Sequence, residues 1–140
     1  MTLPGRQLFA LTAAATLLGA APAAMGAGAK CPVVSSQDWQ AWLAPTPFSN
    51  RKLMLHVRGT VTLPTPGYDV RLVEGPITRS IPPIQTVWLQ VRSPGAETVA
   101  QVLSTQSVSI IMRGFETYKS VRILCGNTPL REFSDVPQLK

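Results

Sequence analysis

The sequence is poor in the side chains that carry out chemistry. Of 140 residues one is histidine, His56, and two are cysteine, Cys31 and Cys125. A serine or cysteine nucleophile needs a base within reach, and His56 is the single candidate, with no G-x-S-x-G elbow beside it. Two cysteines and one histidine far apart in the chain do not match the ligand spacings of zinc sites. The seven acidic residues, Asp38, Asp69, Glu74, Glu97, Glu116, Glu132 and Asp135, are dispersed, most in or beside turns, whereas glycoside hydrolysis needs a carboxylate pair. No P-loop is present. These gaps point to a non-enzymatic protein without metal or cofactor. Long amphipathic helices, internal repeats and, after the first thirty residues, long apolar runs are also missing.

The first thirty residues have the layout of a secretory signal peptide. Arg6 supplies the charged flank, Leu8–Ala24 an apolar run, and Ala27-Gly28-Ala29 small residues of the kind a signal peptidase reads. Cleavage after Ala29 is the first choice and after Ala23 the second. An uncleaved anchor fits less well, because the run is rich in Ala, is broken by Gly19 and Pro22, and falls short of the ~20 strongly apolar residues of a stable span. Lipid attachment at Cys31 would want a small residue before it, where Lys30 stands. The expected organisation is a leader over 1–29 and one domain over 30–140, exported to the periplasm or secreted, with no membrane span after cleavage.

Export places Cys31 and Cys125 in an oxidising compartment, where such a pair is normally a disulfide. Without Arg6 the chain keeps 12 basic and 7 acidic residues, a formal charge of +5. That favours anionic surfaces. The cations are scattered singly, and an exported protein rarely meets nucleic acid, so the expected partner is a protein or an anionic component of the envelope.

The most legible stretch is VRGTVTLPTPGYDVRLV, Val57–Val73. Val57, Val61 and Leu63 alternate with Arg58, Thr60 and Thr62, then Tyr68, Val70 and Leu72 alternate with Asp69 and Arg71, the period of half-buried strands. Thr65-Pro66-Gly67-Tyr68 has the pattern of a type II turn, with Pro pre-set in φ and Gly free to take positive φ. A hairpin pairing Leu63 with Tyr68 and Val61 with Val70 puts the apolar sets on one face. Gly59 interrupts that face, marking a bulge or a close backbone approach. A second hairpin is expected between Ser107–Arg113 and Tyr118–Cys125, closed by Gly114–Thr117.

Around these, SSQDWQAWLA (35–44) reads as a short helix, with Ser35 as N-cap and Trp39, Trp42 and Leu43 on one face. A proline-rich lead-in follows to residue 50. Gln85–Arg92 alternates as a strand with Val87, Leu89 and Val91 inward. The preceding ITRSIPPI suits an extended crossover between sheets. Thr98–Ser104 is ambiguous, and Thr128–Phe133 adds a closing strand. Short strands with turns every 8–12 residues define an all-β fold. We expect a single antiparallel β-sandwich, Ig-like in shape, with the short N-terminal helix after the leader.

Loops carry function on sandwich folds, which makes Pro64, Thr65, Pro66, Gly67 and Tyr68 one candidate binding loop and Gly114–Thr117, with Gly114 and Phe115, the other. Trp39 and Trp42 form either a binding platform or a packing pair. The outward cations Arg58, Arg71, Arg92, Arg113 and Arg122 mark either an anionic partner's surface or simple edge protection.

GTVTLPTPGYDVRL (Gly59–Leu72), followed by SPGAETVAQVLST (Ser93–Thr105), resembles a family of small exported bacterial proteins of unknown function. The resemblance runs from about Val57 to Ile123. It implies an exported single β-domain and no activity. Leu63-Pro64-Thr65-Pro66-Gly67-Tyr68 is also similar to the N-P-T-T-G-[YF] loop of chagasin-type cysteine-protease inhibitors. Leu63 stands in place of the Asn and Pro66 in place of the second Thr, and the later R-P-W motif is absent. That likeness implies an Ig-like inhibitor in which Pro64–Tyr68 and Gly114–Thr117 lie side by side.

Overall fold

The computed structural model describes residues 30–95 and 100–139. The leader expected over 1–29 lies outside them. Seven strands follow in order: β1 (Ser35–Pro45), β2 (Leu53–Leu63), β3 (Asp69–Ile77), β4 (Ile84–Arg92), β5 (Ser104–Arg113), β6 (Ser120–Cys125) and β7 (Thr128–Phe133). They form two sheets, β1-β2-β5 and β3-β4-β6-β7. The sheets close on a core that includes Leu43, Leu55, Val57, Val61, Leu72, Val87, Leu89, Val121 and Ile123. The fold is an all-β sandwich. No helix in the described residues is long and apolar enough to cross a membrane.

The alternation read from the sequence holds. Leu55, Val57, Gly59, Val61 and Leu63 are buried, and Val87 and Leu89 likewise, between more exposed neighbours. The assignment of strands to sheets needs correction. β2 and β3 are not a hairpin: β2 pairs with β1 and β5, and β3 pairs with β4. The Pro64–Tyr68 turn therefore carries the chain from one sheet to the other. Likewise β5 and β6 lie in different sheets, joined by residues 114–119. Conversely ITRSIPPI, expected as the crossover, connects neighbouring strands of one sheet, with β3 running on through Glu74 to Ile77 after a register shift. Alternation tells which side chains point inward, and both inward faces of a sandwich look alike. β4 and β6 run parallel, so the sheets are not purely antiparallel. Parallel neighbours need a long crossover, and here it is β5 in the opposite sheet.

The expected helix over 35–44 is strand β1. Its register to β2 slips between Gln37 and Gln40, with Asp38 at a φ of 58°. Asp tolerates that left-handed conformation better than most residues. The extra residue of a bulge shifts the phase of the side chains, which puts Trp39, Ala41 and Leu43 against the core. Trp42, between them, stacks on His56 instead, so the 39, 42, 43 spacing that imitates a helix spans both faces of a strand. Trp39 fills the space above Gly59, where any Cβ would overlap the indole ring. Both meanings of Gly59 are realised: a bulge opposite it and a close approach over it.

Cys31 and Cys125 are joined, with Cα atoms 5.3 Å apart, across 94 residues of sequence. The bridge ties the segment before β1 to the end of β6. At the C-terminus, Leu43 N–H donates to Pro137 O (2.8 Å) and Leu139 N–H to Leu43 O (2.7 Å). The tail so covers part of the free edge of β1.

Candidate functional site

Strand directions divide the connections between two poles. The ends of β1, β3 and β5 and the starts of β2, β4 and β6 lie together, because Pro45 pairs with Leu53, Met54 with Arg113, Ile77 with Gln85 and Ile84 with Ser120. This pole carries three loops: 46–52, 78–83 and 114–119. The opposite pole carries the Pro64–Tyr68 turn and the disulfide. β2 has eleven residues, so roughly 30 Å separates the poles at ~3.3 Å per residue. Of the candidate loops, Gly114–Thr117 lies at the first pole and Pro64–Tyr68 at the second. They are not brought together.

The Pro64–Tyr68 segment is a well-held turn. Gly67 has a φ of 93°, as position three of a type II turn requires. Thr65 is buried, and Tyr68 O accepts a 2.8 Å hydrogen bond from Gln106 Nε2. Its backbone is engaged in joining the sheets.

The three-loop pole is built differently. In loop 46–52, Ser49 Oγ accepts from Thr46 N–H (3.0 Å) and lies 2.9 and 2.8 Å from the carbonyls of Thr46 and Lys52. Asn50 and Arg51 both take positive φ, 54° and 67°. This tight frame leaves the Phe48 side chain 98% exposed. In loop 78–83, Ile84 N–H donates to Thr78 Oγ1 (2.8 Å), Thr78 Oγ1 meets Ser80 Oγ (2.7 Å), and Ser80 Oγ donates to Pro82 O (3.1 Å). Ile81 stands out of it, 97% exposed. In loop 114–119, Phe115 N–H donates to Tyr118 Oη (3.0 Å), and the two rings meet edge to face at 6.0 Å. Tyr118 is buried, and Phe115 above it stays 45% exposed. Burial raises the Tyr118 pKa, the Phe115 amide opposes the shift, and Glu74 adds to it.

Loop 114–119 ties the three together. Gly114 N–H donates to Leu53 O (3.1 Å) where the first loop ends, and Lys119 N–H to Pro83 O (2.8 Å) where the second ends. A groove of 380 Å³ runs between the second and third loops, lined by Ile77, Ile81, Phe115 and Thr117 among others. Arg51, Lys52, Arg79 and Lys119 lie exposed in the loops and Arg113 at the end of β5, against the single loop carboxylate Glu116. Three apolar tips in a ring of cations form the most distinctive surface of the described chain. Sequence reading found Phe115 but missed Phe48 and Ile81. Their signal was there: each is a large apolar residue beside proline, outside every alternating run.

The other candidates separate. Arg58 and Arg113 lie on one sheet and Arg71, Arg92 and Arg122 on the other, so the outward cations do not form one row. Arg71 faces Asp69 at 3.7 Å and Arg122 faces Glu132 at 3.4 Å. Trp39 packs inward, whereas Trp42 lies on the outer face, stacked on His56 at 5.1 Å with the Arg58 guanidinium 5.3 Å from its ring. The two indoles nonetheless border one cleft of 490 Å³, together with Arg58, Phe133, Pro137 and Leu139. Arg58 also donates to Gln40 Oε1 (2.8 Å). His56 Nε2 is buried without a hydrogen-bond partner, and no cluster of three metal-ligating side chains exists among the described residues.

Comparison with protein-family models, with curated proteins and with solved structures gives no match. The functional reading rests on the residues themselves. The class that fold and site define is a disulfide-bridged β-sandwich with an apolar, basic loop pole.

Proposed function

We propose that this chain is an exported, non-enzymatic binding domain, a periplasmic binding or accessory protein, whose contact surface is the three-loop pole. The observation that carries the reading is the set of Phe48, Ile81 and Phe115, held outward by hydrogen-bonded loops from both sheets and ringed by cations. Contiguous exposed apolar surface marks interaction sites, and at this pole Ile77, Ile81 and Phe115 line one groove. The disulfide is compatible with an oxidising compartment, and the leader-like sequence at the N-terminus agrees with export. The likeness to small exported bacterial proteins points the same way. The placement of Pro64–Tyr68 and Gly114–Thr117 at opposite poles favours this reading over the alternative, an Ig-like protease inhibitor that would use both loops together.

The test is capture from a solubilised envelope extract by immobilised protein, comparing the native chain with a Phe48→Ser/Ile81→Ser/Phe115→Ser variant. Capture of the same component by the native chain and its loss from the variant is the expected result. Capture indifferent to the tips, and instead lost on replacing Pro64–Tyr68, would move the contact surface to the opposite pole.

A further inference from the structure

The identity of the partner follows from the shape and charge of this pole, and the inference rests on the reading just given. We infer that the three-loop pole docks on an anionic lipid surface, with Phe48 and Ile81 entering the boundary between headgroups and acyl chains. Three observations converge on it.

The first is shape. Phe48 and Ile81 are the two most exposed large apolar side chains of the described chain, and each projects from its own loop. A protein partner is matched by a continuous patch with a fully buried centre. Here Ile81 borders an open groove with Phe115, while Phe48 stands apart from it, beside Met54 and Ile111. Such a divided set suits a fluid interface that flows around it, as apolar side chains of peripheral proteins enter the headgroup boundary.

The second is charge. Arg51 and Lys52 lie three and four residues from Phe48, Arg79 lies two residues from Ile81, and Lys119 lies four residues from Phe115. Each apolar tip thus has a cation on its own loop. Basic side chains beside apolar ones are what anionic headgroups over acyl chains recognise. The side chains paired in Arg71–Asp69 and Arg122–Glu132 belong to strands of the second sheet and not to these loops.

The third is rigidity. The loops are braced internally and to one another through Gly114–Leu53 and Lys119–Pro83. Tips held outward in advance lose little further freedom when they insert.

The experiment uses the protein as a producing cell processes it, and vesicles of phosphatidylglycerol mixed with phosphatidylcholine, against phosphatidylcholine alone. Co-sedimentation with the mixed vesicles, absent with the neutral ones and weakened by salt, is expected. Phe48→Ser/Ile81→Ser should weaken it by on the order of tenfold or more, from the apolar area withdrawn from the interface. Arg51→Gln/Lys52→Gln/Arg79→Gln should weaken it similarly, whereas Arg71→Gln/Arg92→Gln, neutral changes of the same kind away from the pole, should leave it in place. Melting temperatures confirm that all variants fold. Absence of binding to the anionic vesicles overturns the inference, as does binding that is equal for the tip variant or equally reduced by the distant charge changes. A component captured from the envelope extract through the same tips, without vesicle binding, overturns the lipid partner and leaves the three-loop pole standing as a protein-binding surface.

Discussion

The indole of Trp39 occupies the place where a side chain at residue 59 would stand, so the bulge of β1 and Gly59 of β2 define one another. Filling that space forces the ring out of the core. Gly59→Val is expected to destabilise the domain by about 1–3 kcal/mol, the usual cost of overpacking. A lower urea midpoint together with a shifted tryptophan emission checks it. A variant of unchanged midpoint would show that Trp39 has free space to move into.

The bridge between Cys31 and Cys125 closes a loop of 94 residues. In the chain-entropy account, closing a loop of that length restricts the unfolded chain by about 4–5 kcal/mol. Replacing both cysteines with serine should lower the denaturant midpoint accordingly. Reductant should bring the native protein down to the variant and leave the variant unmoved.

Tyr118 gives the domain a pH dependence of known sign. Its folded pKa is raised above 10.0, chiefly by burial. The folded state therefore holds the phenolic proton more tightly than the unfolded chain does. The stability this contributes is fully present below pH 10 and is lost as pH rises through the folded value. Melts from pH 8 to 11 should show this decline, and Tyr118→Phe should flatten it.

The exposed tips and the core should respond oppositely to truncation. Phe48→Ser and Ile81→Ser touch side chains that are almost wholly in water, so each should change stability by less than about 0.5 kcal/mol. Leu55→Ala, in the closed centre of the core, should cost about 2–5 kcal/mol. A tip variant as damaging as the core variant would mean that the loop folds back onto the sheets.

The tail makes a separate claim. Pro137 and Leu139 occupy hydrogen-bonding groups of Leu43 on the edge of β1, and free strand edges invite pairing with other chains. Ending the chain after Ser134 should raise concentration-dependent self-association in sedimentation velocity.

Much of the fold is visible in the sequence because alternation depends on one local property, whether a side chain faces water. Val57, Val61, Val87, Leu89, Val121 and Ile123 were legible for that reason, as was the Pro66-Gly67 turn. Partnership was not. Leu63 and Tyr68 sit five residues apart around a good turn, yet their strands join different sheets, because the choice between pairing and crossing depends on which other strands compete for each edge. β1 was misread for a related reason: Trp42 is an apolar residue on the outer face, stacked on His56, and with the inward Trp39 and Leu43 it imitates the spacing of a helix turn. At the loop pole, Phe115 was found from its place at a hairpin-like tip. Phe48 and Ile81 were not, since their meaning comes from three loops meeting that are distant in the sequence.

The interleaving of β5 between β4 and β6 also governs how the chain can fold. β4 and β6 become neighbours only around a crossover whose strand is at the same time laid against β2. The pairings of consecutive strands, β1–β2, β3–β4 and β6–β7, are local. By contrast, β2–β5 and β4–β6 join distant segments and must first meet the entropy of closing long loops. Such high contact order places folding in the millisecond-to-second range typical of sandwiches. During that interval the edges of β2 and β4 stand open, which makes slow assembly, and not the finished surface, the stage at which this domain is most exposed to aggregation.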